Sequence, residues 1–309
     1  MTLLRSIYLF VFMISSPVFS HITPINKVIE TIRLTRPQNI PATLALSVAG
    51  SHIMNPLSPK SYILPCIESI LVMSNSMVMN DIWDIEADRI NTPERPLVKG
   101  IVKKREAIVF SLVLTGITEI INIVYLPRHI HWIIHSALLY IHLYTPILKR
   151  IPLIKNISCA LLVSFSLIFS GLSSSISVPF LENPNRGILY IVANSIFGGS
   201  LTNEILLDIR DEKGDRMNHI WTLATLYGKQ TAWTIAYTIL YVNILMNMIG
   251  LIRIGVNPIL YIVIMGPQFY MLQKIMDSKF SKKSIQSYLN HTTRTMMVIL
   301  FILSYSKTN

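Results

Sequence analysis

The sequence predicts an all-α, polytopic membrane bundle of about nine transmembrane helices. Three observations carry this. The 309 residues are 51% hydrophobic and only 14% charged, where a soluble domain carries about 25% charged residues. Apolar runs recur along the whole chain, most reaching the roughly 20 residues that a spanning helix needs. The basic residues are sorted between alternate loops: twenty Lys and Arg fall in segments 25–37, 80–105, 149–155, 208–230 and 274–290. Only Lys60, Arg128, Arg186 and Arg253 fall in the opposite loops. Such a bias makes the first side cytosolic, or its organellar equivalent. It also accounts for the formal charge of +11 without a nucleic-acid partner.

Residues 1–20 carry Arg5, an apolar run Ile7–Ile14 and then Ser15-Ser16-Pro17, the order of a signal or targeting peptide, with an uncleaved N-terminal anchor as the alternative. Residues 21–309 then form one membrane domain. Residues 25–36 alternate apolar Ile25, Val28, Ile29 and Ile32 with Lys27, Glu30, Arg33 and Arg36 at helical spacing, an interfacial amphipathic helix that ends at Pro37. Spans are expected at about 38–56, 62–79, 106–126, 131–148, 156–178, 188–207, 231–251, 257–273 and 292–305, the last being the shortest. Cys66 and Cys159 both lie in apolar runs, which argues against a disulfide framework.

Two acidic segments stand out, and the charge count puts them on the same membrane side. In the first, Asn80, Asp84 and Asp88 recur every four residues, which lines three oxygen ligands along one helix face. Carboxylate and amide oxygens suit a hard divalent cation, usually Mg²⁺, shared with substrate phosphates. Arg89, Arg95 and Lys99 follow closely, as phosphate partners. In the second, Asp208, Asp211 and Asp215 fall at i, i+3 and i+7, again on one face. Either cluster alone reads as a charged membrane-edge loop. As a pair they suit ionisation of an allylic diphosphate, whose departing charge needs metals and cations. The histidines at 129, 131, 135 and 142 lack the accompanying Glu or Cys of a zinc site. Glu119, inside the third span, gets no role.

At these segments the chain resembles the UbiA superfamily of intramembrane prenyltransferases. Asn80-Asp81-x-x-Asp84-x-x-x-Asp88, continued by Asn91-x-Pro93-x-Arg95-Pro96-Leu97-x-x-Gly100, matches the family's first motif, and Asp211-x-x-x-Asp215 the second. Tyr144-Thr145-Pro146-Ile147-Leu148-Lys149 with Asn156 resembles its Tyr/Lys segment, and Arg33 with Arg36-Pro37-Gln38-Asn39 the start of its first helix.

The resemblance implies a nine-helix bundle around a central cavity, Mg²⁺ dependence and transfer of a prenyl group from a polyprenyl diphosphate to a lipophilic aromatic or alcohol acceptor within the membrane. By carry-over, Asn80, Asp84, Asp88, Asp211 and Asp215 hold Mg²⁺–diphosphate. Asp81 and Asp208 assist them, Asp208 as a further metal ligand and Asp81 on the substrate side. Arg95 and Lys149 hold phosphate oxygens, and Arg36 and Tyr144 contact substrate. The chain departs from the pattern at His219, where a Gly is common, at Ala224 in place of the Pro of Thr-Leu-Pro, and at Asn203-Glu204 in place of Arg-Glu. Those changes leave open an isoprenoid-binding or carrier protein of the same fold, or a terpene cyclase. An ion-coupled transporter would carry its charges at mid-bilayer and not at helix ends.

Overall fold

The computed structural model describes residues 25–144, 147–175, 180–217 and 219–305. The expected signal segment 1–20 therefore lies outside the described residues. Every regular element among them is helical: α1 Ile25–Arg33, α2 Ile40–Met54, α3 Ile63–Trp83, α4 Ile85–Asn91, α5 Lys104–Tyr125, α6 Arg128–Tyr144, α7 Ile154–Ser174, α8 Arg186–Met217, α9 Leu223–Tyr227, α10 Lys229–Arg253, α11 Ile259–Met265, α12 Pro267–Asp277 and α13 Lys282–Ser304, with short 3₁₀ turns between some of them.

Each of the nine expected apolar segments has a helix among its described residues, but among the described residues five stretches are both long and apolar enough to cross a membrane: Pro59–Trp83, Lys104–Tyr125, Ile154–Ser174, Lys229–Arg253 and Ile259–Asp277. The other four fall short for separate reasons. α2 has 15 residues and α6 has 17, under the roughly 20 that hydrocarbon thickness demands. α8 carries Asn194, Asn203 and Glu204 along its apolar part, and α13 opens on Lys282-Lys283-Ser284. The span expected at 257–273 is two helices meeting at Gly266-Pro267, since a proline has no N–H to continue the ladder.

The described chain forms two compact units, residues 25–38 with 71–118 and residues 39–70 with 119–305, whose boundaries fall inside α3 and α5. In the first, Leu34, Val78, Ile82, Leu97, Val102, Ala107 and Leu114 form the core. Lys27 Nζ reaches Glu106 Oε1 at 2.7 Å, and the other Glu106 oxygen accepts from the Lys103 backbone N–H at 2.9 Å, closing the start of α5. Inside the hydrocarbon-length part, Ser111 donates to Asn75 Oδ1 (2.6 Å) and Asn75 Nδ2 to Thr115 Oγ1 (2.8 Å).

In the second unit α8 packs against α2, α7, α10 and α13, and α2 lies against α7. Small residues set that last contact. A methyl group on Gly50 would meet the Leu167 carbonyl oxygen at 2.1 Å, and one on Gly171 the Gly50 oxygen at 3.2 Å. Backbones this close gain dispersion and polar contact, which drives association where lipid is as apolar as the side chains. Ser51 Oγ accordingly donates to the Ser170 carbonyl (3.3 Å) and Asn55 Nδ2 to that of Ser174 (3.1 Å). The closing carbonyls of α2 are also used: Asn183 donates to Met54 O and Asn185 to Ile53 O, both at 2.9 Å, so little backbone is left unpaired there. A buried network joins Asn194 and Ser195 of α8, Asn243 and Asn247 of α10 and Tyr261 of α11. Glu119 is paired with His135, Oε1 to Nδ1 at 2.8 Å. Cys66 and Cys159 are free thiols.

Replacing Gly50 by Ala pushes a backbone carbonyl and not a movable side chain. A loss of about 1–3 kcal/mol is expected, read as a lowered Tm of the detergent-purified protein, whereas Ala at the open position Gly116 leaves Tm unchanged or slightly raised.

Candidate active site

The first acidic motif spans a helix break. α3 stops at Trp83, Asp84 adopts φ −93°, ψ 7°, and α4 resumes at Ile85. The i→i+4 ladder nevertheless continues through the break: Asp84 N donates to Asn80 O (3.0 Å), Asp88 N to Asp84 O (2.8 Å) and Thr92 N to Asp88 O (2.8 Å). Asn80, Asp84 and Asp88 thus stay in register along one line, as their spacing predicts.

Asp81, one position off that line, is buried at 4% exposure and has a different task. Its Oδ1 accepts from Arg36 Nη2 at 2.7 Å and from Arg95 Nη1 as well. Arg95 Nη1 also lies 3.0 Å from Asp88 Oδ2. That places two arginines expected at the substrate on the motif's own carboxylates. Arg36 is held at φ 51°, a conformation costly for a side chain with a Cβ, immediately before Pro37. Thr92-Pro93-Glu94-Arg95-Pro96 turns the chain back, with Arg95 N bonded to Thr92 O (3.1 Å) and Val102 N to Pro96 O (3.3 Å), while Leu97 enters the core. The long match around Pro93, Arg95, Pro96 and Leu97 is therefore the turn that returns a guanidinium to Asp81 and Asp88. Burial raises the Asp88 carboxyl above the usual range; Thr92 and Arg95 pull it down, and Asp84 and Asp81 push it up.

The second motif lies on the last turns of α8, in the other unit. Asp208 is 3% exposed. Its Oδ1 lies 2.5 Å from Lys155 Nζ, and its Oδ2 accepts from Asn156 Nδ2 at 2.8 Å. Lys155 opens α7 and also interacts electrostatically with Glu204 and Asp215. Asp211 is more exposed and forks with Arg210, at 2.9 Å and 2.8 Å. Burial pushes the Asp215 carboxyl up to about 6, with Asp208, Asp211 and Glu212 acting the same way against the pull of Lys155. Tyr144 is buried with its hydroxyl 3.1 Å from Cys159 Sγ. Lys149 sits half-buried in the turn Leu148–Arg150. Thr145 and Pro146 of that segment lie outside the described residues.

α8 ends in a left-handed turn. Ile220 N donates to Asp215 O (2.8 Å), His219 N to Arg216 O (3.3 Å), and His219 has φ 54°. This Schellman geometry favours glycine at the His219 position, a physical reason for the Gly that is common there.

Mg²⁺ fits the donor set. Among the described residues, no three His, Cys, Asp or Glu side chains converge closely enough to hold an ion by themselves. Mg²⁺ is usually bound through one or two carboxylates and completed by phosphate oxygens and water. Asp88 Oδ2, buried and without a hydrogen bond but 3.0 Å from the Arg95 guanidinium, is a donor atom that already lies beside a cation expected at phosphate.

The sequence profile of the UbiA prenyltransferase family matches residues 39–299. The chain belongs to the UbiA prenyltransferase family. It is accordingly an enzyme of the prenyltransferase class. It is 31% identical over 229 residues to a digeranylgeranylglyceryl phosphate synthase from Metallosphaera sedula, covering 74% of this chain and 77% of that one. In structure it resembles a UbiA homologue from Archaeoglobus fulgidus bound to GPP and Mg²⁺, with a TM-score of 0.65 at 16% identity, over 90% of this chain and 100% of that one. It also resembles a solved digeranylgeranylglyceryl phosphate synthase, with a TM-score of 0.71 at 22% identity over 91% and 98%. These likenesses show the UbiA fold.

Two outcomes follow from the second motif. His219→Gly is expected to leave Tm unchanged or raised, while His219→Val costs about 1–2 kcal/mol, measured by thermal unfolding. A carboxyl that keeps its proton to about pH 6 cannot serve a cation below that pH. Divalent-metal binding in the presence of a prenyl diphosphate analogue is therefore expected to strengthen as pH rises through about 6 and to level off above it. Asp215→Asn is expected to reduce that step, leaving the part that comes from the analogue's own phosphate.

Proposed function

We propose that the chain transfers a polyprenyl group from its diphosphate to the hydroxyl of a prenylated glyceryl phosphate, inside the membrane and on its cytosolic side or the organellar equivalent. The observation that carries this is the 31% identity, over most of both chains, to a digeranylgeranylglyceryl phosphate synthase. Both acidic motifs are complete in this sequence. Basic loops on their side support the sidedness. The wider family resemblance also admits aromatic acceptors. The digeranylgeranylglyceryl phosphate synthase relatives favour the alcohol.

In this reading Asn80, Asp84, Asp88, Asp211 and Asp215 hold Mg²⁺–diphosphate. The ion, when bound, neutralises the charge that builds on the departing diphosphate. Arg36 and Arg95, already aligned by Asp81, donate to phosphate oxygens, and Lys149 does so from the other unit's motif. The allylic C–O bond breaks with its electron pair going to diphosphate. The acceptor oxygen forms the new ether bond, and its proton is lost to the medium. Tyr144 lines the substrate side.

The test is to incubate membranes carrying the protein with radiolabelled geranylgeranyl diphosphate, Mg²⁺ and either geranylgeranylglyceryl phosphate or 4-hydroxybenzoate. Ether-linked product from the alcohol is expected, and it should fall by at least about 100-fold in Asp84→Ala and in Asp215→Ala. Product from the phenol alone reassigns the acceptor. Diphosphate release with a cyclised hydrocarbon replaces transfer by cyclisation, and no Mg²⁺-dependent turnover of any prenyl diphosphate sinks the enzymatic reading.

A further inference from the structure

The turn into α5 carries four cations that the first compact unit leaves uncompensated. Most acids of that unit are already matched: Glu30 pairs with Arg33, Asp81 with Arg36 and Arg95, Glu86 with Arg89, Asp88 with Arg95 and Glu106 with Lys27. Lys99, Lys103, Lys104 and Arg105 remain. All four are exposed, and none forms an ion pair among the described residues. Lys103 feels the Glu106 carboxylate, which Lys27 already holds at 2.7 Å.

These cations stand where a bilayer has its headgroups. α5 is long and apolar enough to span, so its first turn meets the membrane edge. Trp83 is half-exposed beside them, with Lys104 Nζ 5.6 Å from the centre of its ring. Tryptophan and cation together are the usual anchors at that level. Beyond Lys104, Ile108, Leu112 and Gly116 follow at four-residue intervals, and all three are exposed. Their spacing makes one apolar stripe down the outside of the helix. Gly116 notches it: a methyl group built there meets no atom within 4 Å. A cluster of positive charge thus sits directly above a notched apolar track, which matches a lipid with an anionic head.

We infer that this face of α5 binds an anionic phospholipid of the surrounding bilayer. The phosphate sits at Lys104 and Arg105, and a hydrocarbon chain lies along Ile108, Leu112 and Gly116. Lys99 and Lys103 strengthen the attraction from the preceding turn. Charge complementarity decides the occupant. A zwitterionic headgroup brings its own cation to a surface that already has four, whereas each nearby Lys or Arg favours an anionic headgroup about five-fold. This lipid site is independent of the acidic motifs and of the donor and acceptor proposed above.

The test reconstitutes the full chain into phosphatidylcholine vesicles containing a minor fraction of phosphatidylglycerol or phosphatidylcholine brominated on the acyl chains. Quenching at Trp83 is read as the difference between the wild type and Trp83→Phe. Brominated phosphatidylglycerol is expected to quench at least about three-fold more strongly than brominated phosphatidylcholine. Lys104→Gln combined with Arg105→Gln should bring the two lipids to equality, while Lys60→Gln, in the other unit, leaves the ratio unchanged. Equal quenching in the wild type overturns the inference, as does a preference that survives the double variant or one that Lys60→Gln also abolishes. Should the double variant not fold, Lys104→Gln alone decides and must at least halve the ratio. Erasure of the preference by inorganic phosphate, which has no chains, assigns the cations to free phosphate and overturns the lipid site.

Discussion

Carboxylates at the edge of a hydrocarbon layer must be compensated, and that requirement orders both acidic motifs. Taking an unpaired charge out of water costs several kcal/mol or more, so each deeply buried motif acid here has a cation built against it. Asp81 has Arg36 and Arg95; Asp208 has Lys155. The basic partners come from different stretches of chain, which the charge requirement draws together. Arg36 adopts its left-handed backbone to meet this demand, and the turn after Thr92 supplies a second guanidinium. Asp84, Asp211 and Asp215 are more exposed than these two.

That division separates scaffold from chemistry. Arginines bound to Asp81 are already desolvated and oriented, so presenting their remaining N–H groups to a phosphate needs little reorganisation. The polar contacts within the helices serve the same end. Serines and asparagines at Gly50–Gly171, and around Asn247, tie helices together where apolar surface gives no preference for protein over lipid.

Much of this was legible in the residues. The apolar runs gave the helices, and the four-residue spacing of Asn80, Asp84 and Asp88 gave a backbone register that survives even a helix break. The break itself was not legible, because nothing in Trp83-Asp84-Ile85 disfavours a helix; it is a tertiary effect. Lys155 was missed for a similar reason. Its partner lies 53 positions away, and an isolated lysine at the start of an apolar run carries no local signal. Fewer helices meet the length and apolarity of a crossing than there are apolar runs, five among the described residues: α2 and α6 are short, and α8 is polar along its length. His219 was legible as a departure, but only its backbone angle explains what the departure costs.

The turn at His219 has a consequence for how such an enzyme changes its preferences. The carbonyl that closes the turn belongs to Asp215, so a residue of the second motif also anchors, through its peptide group, the loop that follows. Any insertion or substitution that re-angles the loop pulls on that same peptide plane. If Asp215 holds Mg²⁺–diphosphate as proposed, a substitution in this loop and a changed metal requirement would arise together.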